Sequence, residues 1–153
     1  MSEKDACELL DADHIAVKHL FVDYARLAVA AEGAAERLAL ARKICAELTV
    51  HARIEEEIFY PALREAVDAD ALLDESEAEH QQAKELIARI EASGEASAEL
   101  DELVAALARA IEHHVKEERD HLFPKARAAA DLDLVALGGQ LKERQQALEG
   151  QPA

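Results

Sequence analysis

Ala12-Asp13-His14, followed by Lys18 and Leu20, returns 66 residues later as Ala78-Glu79-His80, followed by Lys84 and Leu86. A second pair is repeated in the same order. His51-Ala52-Arg53-Ile54-Glu55, with Phe59 and Pro61, is matched 63 residues on by His114-Val115-Lys116-Glu117-Glu118, with Phe123 and Pro124. In both copies His and Glu are four apart, and Pro follows the Glu by six. Chance yields one such match in an Ala/Glu-rich chain, but hardly two in one order, so a single structural plan is used twice.

Composition says what that plan is. The apolar half of the chain is mostly Ala and Leu, with no Trp, and five Gly and three Pro leave few places to turn. Ala, Leu, Glu, Lys and Arg lose least on entering a helix. The turn formers predict a first helix from about Asp11, a plausible N-cap, to Ala31, where Glu32-Gly33 breaks it. A second runs from Ala34 through Tyr60, with Pro61 ending or kinking it before Ala62–Ala66. A third starts in the Asp68–Asp70 cluster and stops at Ser93-Gly94; a fourth starts near the cap Ser97 and meets Pro124 as the second meets Pro61. Short connections make neighbours antiparallel, so the expected fold is all-α, an up-down-up-down four-helix bundle. One domain over residues 1–153 is expected, with the core bundle at about 11–128. A short fifth helix follows at about 131–149, interrupted by Gly138-Gly139.

The formal charge of −16, from 17 basic and 33 acidic residues, is spread along the chain. Such a field repels phosphate backbones and anionic lipid, which argues against nucleic acid and membrane surfaces as partners. No apolar run reaches the roughly 20 residues of a membrane span, nor does the N-terminus read as a signal peptide, so the expected compartment is the cytoplasm. Cys7 and Cys45 form no disulfide framework and have no metal-ligand spacing. Cys45 reads as a small buried hydrophobe and Cys7 as an incidental thiol.

The repeated His and Glu interrupt apolar seams. On the second helix Ile44, Leu48, His51, Glu55 and Ile58 follow a 4, 3, 4, 3 spacing; on the fourth, Leu107, Ile111, His114, Glu118 and His121 do the same. His14 is in register with Val17 and Phe21, and His80 with Leu73 and Ile87. All four helices thus turn polar groups toward the core. An ionised carboxylate left unpaired there costs several kcal/mol or more. Two Glu and four neutral His converging in one place therefore call for a cation, and imidazole with carboxylate suits iron, manganese or zinc. Bundles with ligands projecting inward from all four helices commonly hold a metal pair.

The order His, His-x-x-x-Glu, His, His-x-x-x-Glu, with Pro after the second and fourth elements, resembles the hemerythrin-like (HHE cation-binding) family. The resemblance covers roughly residues 11 to 128 and implies a bundle of hemerythrin type with a carboxylate-bridged pair of iron ions, oxo- or hydroxo-bridged when oxidised. Carried over by position, His14 and His51 would bind one iron, His80 and His114 the other, with Glu55 and Glu118 bridging. Oxygen-carrying hemerythrins have a further His four residues after the third-helix ligand, where this chain has Lys84. The resemblance then implies an open position on the iron of His80 and His114, and oxygen, nitric oxide or peroxide as the small ligand. Enzymatic use of the same centre (weak peroxidase or nitric oxide consumption, or iron donation in stress repair) is one alternative, and a structural bundle holding zinc or no metal is another.

Several neighbours are expected to stand apart. Glu56, Glu57 and Glu117 rotate toward solvent or a helix interface, His113 leaves the seam, and His19 points to the surface. His121, on the seam, is the candidate for an additional ligand or a supporting partner. Lys18 and Lys84 should snorkel or pair with carboxylates. Tyr24 and Tyr60 are expected to pack in the core, with a hydrogen bond near the site as the alternative.

Overall fold

The protein is described from a computed structural model covering residues 4–30 and 33–150. Helix α1, Ala6–Ala30, starts five residues ahead of the Asp11 expected as its cap. The reason lies in a reciprocal capping box: the Asp5 N–H donates to Glu8 Oε1 (3.1 Å) and the Glu8 N–H to Asp5 Oδ1 (2.8 Å). The expected break at Glu32 lies outside the described residues. Gly33 takes a left-handed conformation (φ 63°) and leads into α2, Ala34–Ile54.

Pro61 does not end the second rod. A π-helical turn, Glu55–Phe59, joins α2 to α3, Tyr60–Ala66. The fourth rod is built the same way: α5, Ala98–Glu117, a π turn at Glu118–Leu122, and α6, Phe123–Ala128. Between the two rods runs α4, Asp70–Glu91. Ser97 caps α5 as read, its hydroxyl accepting from the Leu100 N–H at 3.1 Å. The bundle closes as a ring in which α1 touches α2 and α5, and α4 touches α2 and α5. This is the expected up-down-up-down arrangement.

The fifth helix, α7 (Leu134–Glu149), is continuous and not interrupted at Gly138-Gly139. It lies against α1, α2 and the first π turn. A Cβ at Gly138 would come within 2.5 Å of the Lys4 carbonyl oxygen, so glycine here permits close approach to the start of α1. Leu137, Leu141 and Leu148 bury against Ala6, Leu10, Phe59, Leu63 and Phe123 in one apolar core. A second core, with Val17, Ile44, Leu48, Ile87, Leu103 and Leu107, fills the other end of the bundle.

Candidate metal centre

Between the two cores lies a polar belt. His14, His51, Glu55, His80, His114 and Glu118 are all buried, both glutamates completely. Residues four apart share a helix face, so His51 with Glu55, and His114 with Glu118, enter the belt together. His14 Nε2 stands 3.1 Å from His51 Nε2, and His80 Nε2 stands 3.2 Å from His114 Nε2. The glutamates lie between these pairs. Glu55 Oε1 is 3.2 Å from His51 Nε2 and 3.1 Å from His80 Nε2; Glu118 Oε1 is 3.1 Å from His14 Nε2 and 3.5 Å from His114 Nε2. Each carboxylate therefore touches both histidine pairs.

The outer nitrogens explain why the inner ones point inward. His51 Nδ1 meets Asp13 Oδ2 at 3.1 Å, His80 Nδ1 meets Glu56 Oε2 at 2.8 Å, His114 Nδ1 meets Glu79 Oε1 at 2.9 Å, and His14 Nδ1 meets Asp11 Oδ1 at 3.4 Å. A carboxylate only accepts, so each Nδ1 carries the proton, which leaves the Nε2 lone pair of a neutral ring for a cation. The acid of each repeated Ala-acid-His string thus serves the histidine of the following helix. Gln145 of α7 donates to the same Asp13 carboxylate at 2.9 Å, and Arg144 donates to Glu57 at 2.8 Å. Glu56 is consequently not a surface charge but a partner of His80, and Lys84 Nζ holds its other oxygen at 2.8 Å. The rotation that takes Glu56 off the inner seam carries it into the interface with α4.

Proline shapes the backbone here. Pro61 and Pro124 lack an N–H, and in a regular helix their rings would clash with the carbonyl four residues back. The residue before each proline instead bonds five residues back, Tyr60 N–H to Glu55 O and Phe123 N–H to Glu118 O. Each π turn therefore opens on the glutamate of a histidine–glutamate pair. The turn after Glu55 also carries a seventh side chain inward. Tyr60 is fully buried, its hydroxyl donating to Glu118 Oε2 at 3.1 Å and standing 3.3 Å from both His80 Nε2 and His114 Nε2. Its counterpart in the other repeat, Phe123, stacks on His14 with ring centroids 6.2 Å apart and brings no hydroxyl. Tyr60 is buried as expected and also makes the alternative hydrogen bond at the site; the convergence of its hydroxyl comes from the wider turn, which a regular 3.6-residue count does not anticipate.

His121, the candidate for an additional ligand, does not join the belt. Its side chain is 55% exposed and 3.9 Å from Glu117, because the π turn takes it off the seam that regular helical spacing continues. His113 is exposed and lies 3.0 Å from Glu79, and His19 is exposed, both as expected. Tyr24 sits at the far end of the bundle, donating to Asp101, which also receives Arg37.

Electrostatics mark the belt as short of positive charge. Burial opposes ionisation of Glu55, yet the charge of His51 and hydrogen bonds from Glu118, His114 and His51 hold its carboxyl well below the usual range. Burial and the neighbouring Glu55 charge push the Glu118 carboxyl the other way, above the usual range. Burial would favour a neutral His51, but Glu55 and Asp13 lift it to about 10; His80 and His114 are raised for similar reasons. Protons thus do the neutralising that a cation would do. Glu55 Oε2 and Glu118 Oε1 are buried without a hydrogen bond of good geometry, an expensive arrangement that a shared cation relieves. His14, His51, Glu55 and Glu118 each offer a ligand atom within 4.8 Å of the others, as do Glu55, His80 and His114.

The fold is shared with a protein of known structure. A crystal structure of a hemerythrin HHE cation binding domain-containing protein from Mycobacterium kansasii is similar, with TM-score 0.78 and 25% identity over 96% of this chain and 88% of that one. No curated protein matches the chain significantly. The family model for the hemerythrin HHE cation binding domain matches residues 5–126, which takes in all six belt residues and both π turns. By that match the chain belongs to the hemerythrin HHE cation-binding family.

Proposed function

We propose that the chain acts as a single domain that binds two iron ions and through them a small ligand such as oxygen, nitric oxide or hydrogen peroxide. His14 and His51 would hold one ion, His80 and His114 the other, with Glu55 and Glu118 shared between them. The observation that carries this reading is the placing of both glutamates between two histidine pairs whose Nε2 atoms face each other at 3.1 and 3.2 Å. Six buried donors of this kind are too many for one ion and suit iron, a metal at home with imidazole and carboxylate together. Bound there, iron supplies electron exchange and a coordination position for the small ligand.

The chain's own residues do the rest. Asp11, Asp13, Glu56 and Glu79 fix each imidazole by its outer nitrogen and strengthen the inner one as a donor. Tyr60 stands where a seventh donor is wanted, beside the pair that lacks the hemerythrin histidine at Lys84. Lys84 itself points outward to Glu56. The phenol, not an open solvent position, faces His80 and His114. Room for a small ligand lies on the opposite side of the belt, in a cavity of about 70 Å³ that touches all four histidines and is walled by Val17, Leu48, Ala83, Ile87 and Ile111. A water occupies roughly 10–15 Å³ on such a measure, so the cavity has space for a diatomic or peroxide with a few waters beside it.

The test is metal content. Protein loaded with ferrous iron under anaerobic conditions should retain about two irons per chain, as six donors with shared carboxylates imply, and Glu55→Ala or Glu118→Ala should lose most of both. Uptake of a single zinc, with no capacity for iron, would overturn the reading.

A further inference from the structure

A larger hollow adjoins the belt from outside. It runs between α1 and α5, has a volume of about 480 Å³, and is walled by Phe21, Val22, Ala25, Ala108, Ile111 and Val115, with His14 at its inner end. His14, Ile111 and Val115 also line the 70 Å³ cavity against the four histidines. The two spaces are therefore separated by one layer of side chains. Ile111 and Val115 lie four apart on α5 and are both half-buried. With empty volume on both flanks, they can change rotamer without the repacking that a filled core demands.

The other approach to the cavity is closed differently. Between α2 and α4 it is bordered by Thr49, Arg53 and Lys84, where Lys84 pairs with Glu56 at 2.8 Å and Arg53 with Glu57 at 3.0 Å. Passage there requires parting ion pairs, whereas passage from the groove requires only that aliphatic side chains swing. Of the three cations at the groove's rim, Arg119 is held by Asp11 and Lys116 by Asp120, while Lys18 shares the lining with the acidic Glu112 and Asp120, so the rim is no anion trap. An apolar space selects ligands that leave water cheaply, which means small and uncharged ones.

From this we infer that Ile111 and Val115 form the door by which a small uncharged ligand reaches the histidine belt, with the α1–α5 groove as its outer chamber. The inference rests on the metal reading above, although the route itself can be seen without metal. Two measurements test it. In reduced, iron-loaded protein, nitric oxide association followed by stopped flow should slow by about tenfold or more in Val115→Phe and quicken in Val115→Ala. Dissociation should slow with association in Val115→Phe and quicken with it in Val115→Ala, because a door governs passage in both directions. Arg53→Ala, which loosens the α2–α4 side, should leave both rates alone. Crystals of the metal-free protein under xenon should show the gas in the groove against Val115. Equal association rates in wild type and both Val115 variants, faster association in Arg53→Ala, or xenon only on the α2–α4 side would overturn the route. Failure to take up iron would sink the metal reading before any rate is measured, and the xenon result would then decide the route alone.

Discussion

Tyr60 and Phe123 occupy equivalent places in the two repeats, yet only Tyr60 puts an oxygen beside two imidazole nitrogens and a carboxylate. Its phenol is held well above its ordinary pKa, first by burial and then by the charges of Glu118 and Glu55, so in the metal-free protein it keeps its proton and donates it to Glu118. Tyr60→Phe should fold and still bind iron. If the phenol is a donor to the metal, the oxidised wild type should show a broad visible charge-transfer band with resonance-enhanced tyrosinate vibrations, and the variant should lose both. Identical spectra would reduce Tyr60 to packing. The carboxylates outside the belt make a second prediction. Glu79→Gln, Asp13→Asn and Glu56→Gln should each weaken metal retention by roughly 10–100-fold in a chelator competition. Glu117→Gln, whose nearest recorded partner is His121 at 3.9 Å, should change little.

At the level of elements, the π turns and α7 are where regular helical counting fails. Each π turn reconciles a proline with a continuing rod, and in doing so it turns one side chain inward (Tyr60 or Phe123) and another outward (His121). The fifth helix is bound up with the belt as well as with the core, because Gln145 reaches the carboxylate of Asp13 that orients His51. Its seat depends on Gly138. Gly138→Ala would press a methyl against backbone at 2.5 Å, and backbone cannot yield as a flexible side chain can. A loss on the order of 1–3 kcal/mol in urea unfolding is expected, as for overpacking elsewhere. Gly139→Ala meets nothing within 4 Å and should instead stabilise the helix by up to about 1 kcal/mol through propensity alone. Equal effects at the two positions would contradict this packing.

For the whole molecule, stability should depend on pH and on metal. Cys7 and Cys45 are fully buried, and burial pushes both thiols up to about 12 from an ordinary 9.0. Tyr24 and Tyr60 are raised too, again first by burial. Groups with raised pKa values contribute stability that is fully present below their unfolded values and lost as pH climbs toward the folded ones. The metal-free bundle should therefore weaken as pH climbs from 6.5 toward about 10 through His51, and on from 9.0 toward about 12 through the thiols, read as a falling urea midpoint. A flat profile across that window would show that the thiols are not shielded. Metal acts in the opposite direction. A ligand that binds only the folded state adds stability that grows with its free concentration, so Tm should rise with added iron.

The helical rods, their antiparallel order and the inward facing of His14, His51, Glu55, His80, His114 and Glu118 were legible in the residues, because a seam spaced at three and four can be counted along a chain. The repeat strengthened that reading, since His14 aligns with His80 and Glu55 with Glu118. Other features were not legible. The chain shows Asp13 next to His14, but only packing reveals that Asp13 holds His51 on a different helix. Glu56 leaves the inner seam by rotation, and whether that leads to water or to a neighbour depends on α4. His121 leaves its expected place on the seam, and buried Tyr60 brings its hydroxyl to the site, because a π turn alters the count that periodicity relies on. Gly138 reads as a helix breaker until the start of α1 is laid against it. Local spacing determines which face of a helix is polar or apolar; what meets that face is decided by elements far away in sequence, through contacts that no local pattern encodes.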